Sequence, residues 1–198
     1  MKQKKIIING NYDLKRLKKA MKKIQNGKRF EHTLGVEYTA AALAMRYQAD
    51  ILKARVAGLL HDCAKCLGDE KTLNICAKYQ IPITESEQRN PFLLHAKVGA
   101  FLTQHKYGVT DEDICNAIYN HTTGREHMSL LEKIIFVADY IEPGRKQAPN
   151  LAEIRELAFV DLDKALCRIL EDTLSYLQTS GGEIDPRTES TLKFYQGK

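Results

Sequence analysis

Apolar residues recur at helical spacing along almost the whole chain, and strand-like alternation is confined to Ile6-Ile7-Ile8. That pattern predicts helices and leaves too little for a sheet. Leu14, Leu17, Met21 and Ile24 form a stripe at i, i+3, i+7 and i+10, ringed by lysines and stopped by Asn26-Gly27. The next helix is expected over 28–48, with His32, Val36, Thr39, Ala40 and Leu43 on one face. Residues 50–61 are apolar almost all round, as in a helix buried on most sides. Further helices are expected at 69–80, 94–107, 111–121, 129–142, 149–160 and 161–179, with a short last one between Pro186 and Tyr195. Thr110 with Asp113 resembles a capping box, Ile81-Pro82 and Asn90-Pro91 mark a loop region, and Gly181-Gly182 ends the longest late helix. The expected fold class is all-α: one helical bundle over 13–198, behind a basic N-terminal arm of residues 1–12.

A length of 198 residues suits one domain with a sizeable core. Without an apolar stretch of about 18 residues or a signal-peptide pattern, a membrane partner is not expected. Five cysteines, an odd number in no disulfide framework, fit reduced thiols in a cytoplasm. Cys63-Ala-Lys-Cys66 reads as a redox pair or half a zinc site. The first wants a βαβ context and the second a further Cys or His pair at short spacing, so both cysteines are expected to fill space. Charge is uneven: residues 1–30 hold eleven Lys or Arg against Asp13 alone, while the other 168 carry 19 basic and 24 acidic side chains. The basic start suits a polyanionic ligand or nucleic acid, or is a solvated helix face.

Six residues stand out against this background: His32, His61, Asp62, His95, His121 and Asp139. His61 and Asp62 close the most buried helix; their side chains diverge by about 100° on a helix, so they do not simply pair, but both could reach a cation beyond its end. Asp139 lies among Ile134, Ile135, Val137, Ala138 and Ile141, where a carboxylate needs a metal or an Arg. His121 shares a stripe with Ile114, Ala117 and Ile118, and His95 opens the preceding helix. Singly, each has an ordinary reading as a hydrogen-bonded core histidine or an ion-pair member. Jointly they offer mixed N/O ligation suited to two divalent transition-metal ions, with iron, manganese, cobalt and zinc all admitted.

The order H…HD…H…H…D, with His61-Asp62-Cys63-Ala64-Lys65, His121-Thr122-Thr123-Gly124-Arg125 and Ala138-Asp139-Tyr140-Ile141-Glu142-Pro143-Gly144-Arg145, resembles the bacterial YqeK family of HD-domain phosphohydrolases over about residues 14–196. The resemblance implies symmetrical cleavage of diadenosine tetraphosphate into two ADP by a hydroxide shared between two cations, with iron the expected ion. It implies a first metal on His32, His61, Asp62 and Asp139, and a second on His95, His121 and a bridging Asp62. Lys65 and Arg125 would neutralise phosphate oxygens, with Arg145 and Thr122 binding the same chain and Asp62, Lys65 and Arg125 forming the catalytic set. Lys28 and Arg29 lie within reach of the polyphosphate, His127 is a candidate acid, and no role is expected for His105. Adenine over guanine rests on the resemblance alone. Two other readings stay open: an HD-domain hydrolase of another nucleotide or phosphoester, and a nucleotide- and RNA-binding module that docks through the basic arm. A homodimer is compatible with any of these.

Overall fold

Side-chain caps fix where most of the expected helices begin. In the computed structural model, which describes residues 7–8 and 11–197, Asp13, Asn26 and Asp50 accept from the backbone N–H three residues on, at 2.9–3.0 Å. They open α1 (Leu14–Ile24), α2 (Gly27–Arg46) and α3 (Ile51–Leu60). Then follow α4 (Asp69–Tyr79), α5 (Glu85–Arg89), α6 (Leu94–His105), α7 (Glu112–Asn120), α8 (Leu130–Ile141), α9 (Leu151–Ala158), α10 (Leu162–Ser180) and α11 (Pro186–Gln196). The architecture is all-α, as the periodicity implies.

Three local expectations need correcting. Thr110 is not the cap of α7; Asp111 is, because its carboxylate accepts from Ile114 N–H at 3.1 Å and sets the helix start one residue later. The region between Ile81 and Asn90 is not all loop. Thr84 and Glu87 form a full capping box there and nucleate the five-residue α5. The stretch thought too short for a sheet pairs as a two-residue antiparallel ladder, Ile7 with Tyr12 and Ile8 with Asn11. Lys2, Lys4 and Lys5 of the expected arm lie outside the described residues.

Helix α3 sits at the centre, packed against α1, α2, α7 and α8. Ala54, Val56, Ala57, Leu59 and Leu60 are each fully buried, and a leucine so placed contributes roughly 1.5–3 kcal/mol. Its closest neighbour is α2. A Cβ on Gly58 would lie 2.9 Å from Glu37 Cα and 3.1 Å from Glu37 N, so the two backbones meet where no side chain intervenes. The Glu37 carboxylate is buried in the same seam and paired with Arg55 at 2.8 Å and Lys18 at 2.9 Å, tying α1, α2 and α3 together. A second ionic knot fastens the C-terminal helix. Lys97 on α6 and Arg187 on α11 both reach the buried Glu87, at 2.7 and 3.0 Å, and Arg187 also pairs with Asp185 at 3.0 Å.

The Gly58 approach yields an expectation opposite to helix propensity. Alanine is favoured over glycine in a helix by about 1 kcal/mol. Overpacking against a backbone costs about 1–3 kcal/mol. Gly58→Ala is therefore expected to destabilise the protein, with Tm falling by up to about 6 °C. Thermal unfolding followed by circular dichroism checks this, and a rise in Tm would show that α2 and α3 separate without penalty.

Candidate metal centre and phosphate clefts

Three histidines stand where a helix or 3-10 turn has just left carbonyls without partners. His61 and His121 follow α3 and α7 and donate Nδ1–H to Gly58 O and Ile118 O, both at 2.7 Å. His95, after the 3-10 turn Pro91–Leu93, donates to Phe92 O at 2.5 Å. His32 lies inside α2, where backbone carbonyls are engaged, and its Nδ1 instead faces Glu142 Oε1 at 3.2 Å. That carboxylate is buried, accepts from Gly144 N–H at 2.5 Å, and fits between Gly35 and Gly144, where any Cβ would collide with it. The carbonyl partners assign the tautomer of His61, His95 and His121 and turn each Nε2 lone pair inward, while His32 turns a ring nitrogen to each of two carboxylates, Nδ1 to Glu142 and Nε2 to Asp139.

The lone pairs converge on Asp62. His61 Nε2 lies 3.4 Å and His32 Nε2 3.8 Å from Asp62 Oδ2, while His95 and His121 Nε2 lie 3.4 and 3.7 Å from Oδ1. Asp139 Oδ1 joins the first group, 3.0 Å from His32 Nε2 and 3.8 Å from His61 Nε2. The ligand atoms of His32, His61 and Asp62 lie within 4.8 Å of one another, and so do those of Asp62, His95 and His121. The structure thus brings together all six residues singled out in the sequence. In the second group, His95 and His121 point Nε2 atoms at each other across 3.1 Å although both Nδ1 atoms are already the donors. Lys65 Nζ donates to His95 Nε2 at 3.0 Å and the Thr122 hydroxyl lies 3.3 Å from His121 Nε2, whereas the buried Asp62 Oδ1 beside them has no hydrogen-bond donor. A divalent cation there would supply the missing partner, and the N/O donors of the two groups fit divalent-metal binding.

Electrostatics agree with that fit. Burial opposes ionisation of Asp62, but His61, His121 and Lys65 outweigh it and hold the carboxyl well below the usual range. Burial is likewise overcome at Asp139, where the His32 and His61 imidazoles keep the carboxylate ionised. His95 is pushed down to about 3, by burial first and then by Lys65 and His121, so it stays a neutral ligand. Lys65 is lowered to about 8, mainly by burial, with Asp62 and Asp139 pulling the other way.

Three cations surround the cluster. Lys65 Nζ lies 3.0 Å from His95 Nε2 and 3.6 Å from the centroid of the Phe92 ring. Arg29 pairs with Asp62 Oδ2 at 2.8 Å, and Arg145 with Asp139 Oδ1 at 3.3 Å. Thr122 Oγ1 sits 3.3 Å from His121 Nε2. Arg29 and Arg145 divide two clefts. One, of about 440 Å³, runs past Lys65, His121 and Thr122 to α10 and α11. The other, of about 420 Å³, lies on the His32 side with Lys28 and Asn26.

Other expected residues are placed elsewhere. The Arg125 guanidinium does not face the cluster. Gly124, at φ +68°, turns the chain away, and Arg125 forms two 2.7 Å bonds with the buried Glu132, the N3 residue of the α8 capping box. His127 is exposed and packs on Phe194, with ring centroids 4.4 Å apart, and so is not positioned as an acid. His105 stacks on Phe101 at 4.0 Å. Burial drives the Cys63 thiol up to about 12, as expected of a space-filling side chain, whereas Cys66 is exposed and does not fill space; all five cysteines are free. Sequence reasoning passed over Glu142, which follows the last residue of α8 and turns back to His32 from there.

Comparison with known proteins follows the same lines. The HD domain family profile matches residues 29–144. A Bacillus subtilis (strain 168) protein named bis(5'-nucleosyl)-tetraphosphatase, symmetrical, is 45% identical over 166 residues, covering 84% of this chain and 88% of that one. A Staphylococcus aureus (strain NCTC 8325 / PS 47) protein of the same name is 35% identical over 185 residues, covering 92% and 94%. A crystal structure from Clostridium acetobutylicum, described as a predicted HD superfamily hydrolase involved in NAD metabolism, superposes with a TM-score of 0.91 at 40% identity, covering 95% of this chain and 99% of that one.

Two measurements follow from the geometry. The folded pKa of His95, about 3, lies below the ordinary 6.5, so the unfolded chain takes up a proton that the folded one refuses. That share of stability is present above about pH 6.5 and lost as pH falls toward 3, at about 1.4 kcal/mol per pH unit. Urea titrations of the metal-free protein between pH 7 and 5 are expected to show this slope, flattened by about one proton in His95→Leu; equal slopes would refute the buried neutral imidazole. Arg125→Ala is expected to lower stability by about 1–3 kcal/mol, through the buried Glu132, while leaving kcat within a few-fold. A loss of kcat beyond about 100-fold without a loss of stability would return Arg125 to the catalytic set.

Proposed function

The chain belongs to the HD-domain family, and we propose that it is a metal-dependent hydrolase that cleaves diadenosine tetraphosphate symmetrically into two ADP. One observation carries the reading: Asp62 offers each of its carboxylate oxygens to a different pair of imidazole nitrogens. Relatives at 35% and 45% identity that bear the name of this activity support the substrate. We assign the first cation to His32, His61, Asp62 and Asp139, and the second to Asp62, His95 and His121. The N/O donor set suits borderline first-row ions, with iron proposed as resident. When bound, the pair supplies Lewis acidity at a phosphoryl oxygen and an acidified water.

The chain's own residues then bind and orient the polyphosphate. Lys65, with its pKa near 8, keeps its charge at neutral pH and faces the cluster from the Phe92 ring. Arg29 and Arg145 present planar forks suited to phosphate oxygens, and Arg29 takes the place expected for Arg125. Thr122 Oγ1 adds a hydroxyl donor beside His121. ADP is a stable anion, so its departure needs no dedicated acid, which fits the outward position of His127. The substrate is a small-molecule nucleotide polyphosphate, and no helix among the described residues is long and apolar enough to cross a membrane. With five free cysteines, we read the chain as one catalytic domain over 13–198 working in the cytoplasm.

The test joins metal analysis to a product assay on wild type, Asp62→Ala and Lys65→Met. Wild type is expected to bind close to two cations and yield two ADP per substrate. Asp62→Ala should lose both properties. Lys65→Met should keep its metal and lose about 100-fold or more in kcat. Metal binding without ADP release would move the protein to another phosphoester.

A further inference from the structure

The two clefts differ in kind, although the proposed substrate has identical halves. The larger one is walled by Phe92, Phe136, Tyr140, Ile169, Tyr176 and Leu177, and two of these aromatics are left open at its rim, Phe92 at 55% and Tyr176 at 65% exposure. Large aromatic surface held in water beside a cluster of cations is a platform for a base, worth about 1–3 kcal/mol by stacking. The smaller cleft is lined by Asn26, Lys28, Arg29, His32, Glu142 and Arg145, three cations and no aliphatic, Phe, Tyr or Trp side chain. Arg29 and Arg145 belong to both, so a polyphosphate lying across them extends into each. The side with His121, Lys65 and Thr122 then receives one diphosphate, and the side with His32 and Lys28 receives the other.

From this we propose that the enzyme reads its symmetric substrate asymmetrically: one nucleoside is held in the aromatic cleft, and the other half is held through its phosphates alone in the cleft of Lys28, Arg29 and Arg145. The inference rests on the proposed function and deepens it. Regiochemistry follows from the arrangement. With two phosphates on each side of the Arg29–Arg145 divide, the central anhydride lies over Asp62. Water adds to one inner phosphorus, the bond from that phosphorus to the central bridging oxygen breaks, and one proton is released. The far nucleoside contributes no contact, so a chain ending in bare phosphate meets the same requirements.

The experiment compares diadenosine tetraphosphate with adenosine 5′-tetraphosphate on the metal-loaded enzyme. The expected result is a kcat/KM within about threefold for the two compounds, with ADP and pyrophosphate as products of the second. A loss beyond about 100-fold, or release of ATP with orthophosphate or of AMP with triphosphate, would overturn the asymmetric reading. Failure to cleave diadenosine tetraphosphate itself would instead sink the proposed function. Binding gives a second readout by calorimetry. Lys28→Ala, at an exposed position, is expected to weaken inorganic pyrophosphate binding by about tenfold and to raise KM for both substrates equally. Tyr176→Ala is expected to weaken ADP and leave pyrophosphate unchanged. Pyrophosphate affinity indifferent to Lys28, or ADP affinity indifferent to Tyr176, would overturn the assignment of the clefts.

Discussion

Four imidazole nitrogens gathered round one buried carboxylate are an arrangement that a fold has to enforce, since it leaves Asp62 Oδ1 buried without a hydrogen-bond donor. The rest of the structure supplies that enforcement. Helix α3 is buried on most sides, so its C-terminal end, with His61 and Asp62, cannot shift without opening the core. The glycine seam with α2 fixes the distance from α3 to His32, and the Lys18–Glu37–Arg55 knot fixes its angle. Ending α7 at Asn120 frees the carbonyl that aims His121. The cost of that buried oxygen is offset by packing that lies mostly outside the cluster.

The core of this design is legible in the sequence because it follows periodicity. Helices with an apolar stripe announce themselves, and a histidine on such a stripe points inward by construction. What periodicity does not carry was harder to read. Helix α5 has too few residues for a pattern, although its capping box stands in the sequence as Thr84 and Glu87. Arg125 looked like a phosphate ligand because it follows His121 so closely. In the structure Gly124, at positive φ, precedes it and its side chain pairs with Glu132. Arg29 and Glu142 reach the cluster from other elements, and such pairings are tertiary facts that no local spacing records.

The match to the family and the shape of the clefts divide the chain differently. Residues 29–144 match the HD domain profile, and they contain every proposed metal ligand. The aromatic cleft is completed by α10 and α11, which lie beyond that match and are locked down by the buried Glu87–Arg187–Asp185 knot. The wall of that cleft is thus shared: Phe92, Phe136 and Tyr140 come from the matched stretch, and Ile169, Tyr176 and Leu177 from beyond it. A shared cradle with a variable wall is how one fold serves several phosphate substrates.

The segment Glu142–Arg145 joins these functions physically. Glu142 holds the Nδ1 side of His32, and so directs its Nε2 toward Asp62 and Asp139. Arg145, three residues on, binds Asp139 and borders both clefts. Arg155 on α9 rivets the segment in place, donating to the carbonyls of Ile141, Glu142 and Arg145 at 2.9–3.1 Å. A displacement of these few residues would loosen a metal ligand and a phosphate contact together. The proposed metal site and the proposed polyphosphate contact are thus tied to one short piece of backbone. That tie needs no large motion, because both side chains hang from the same rigid turn.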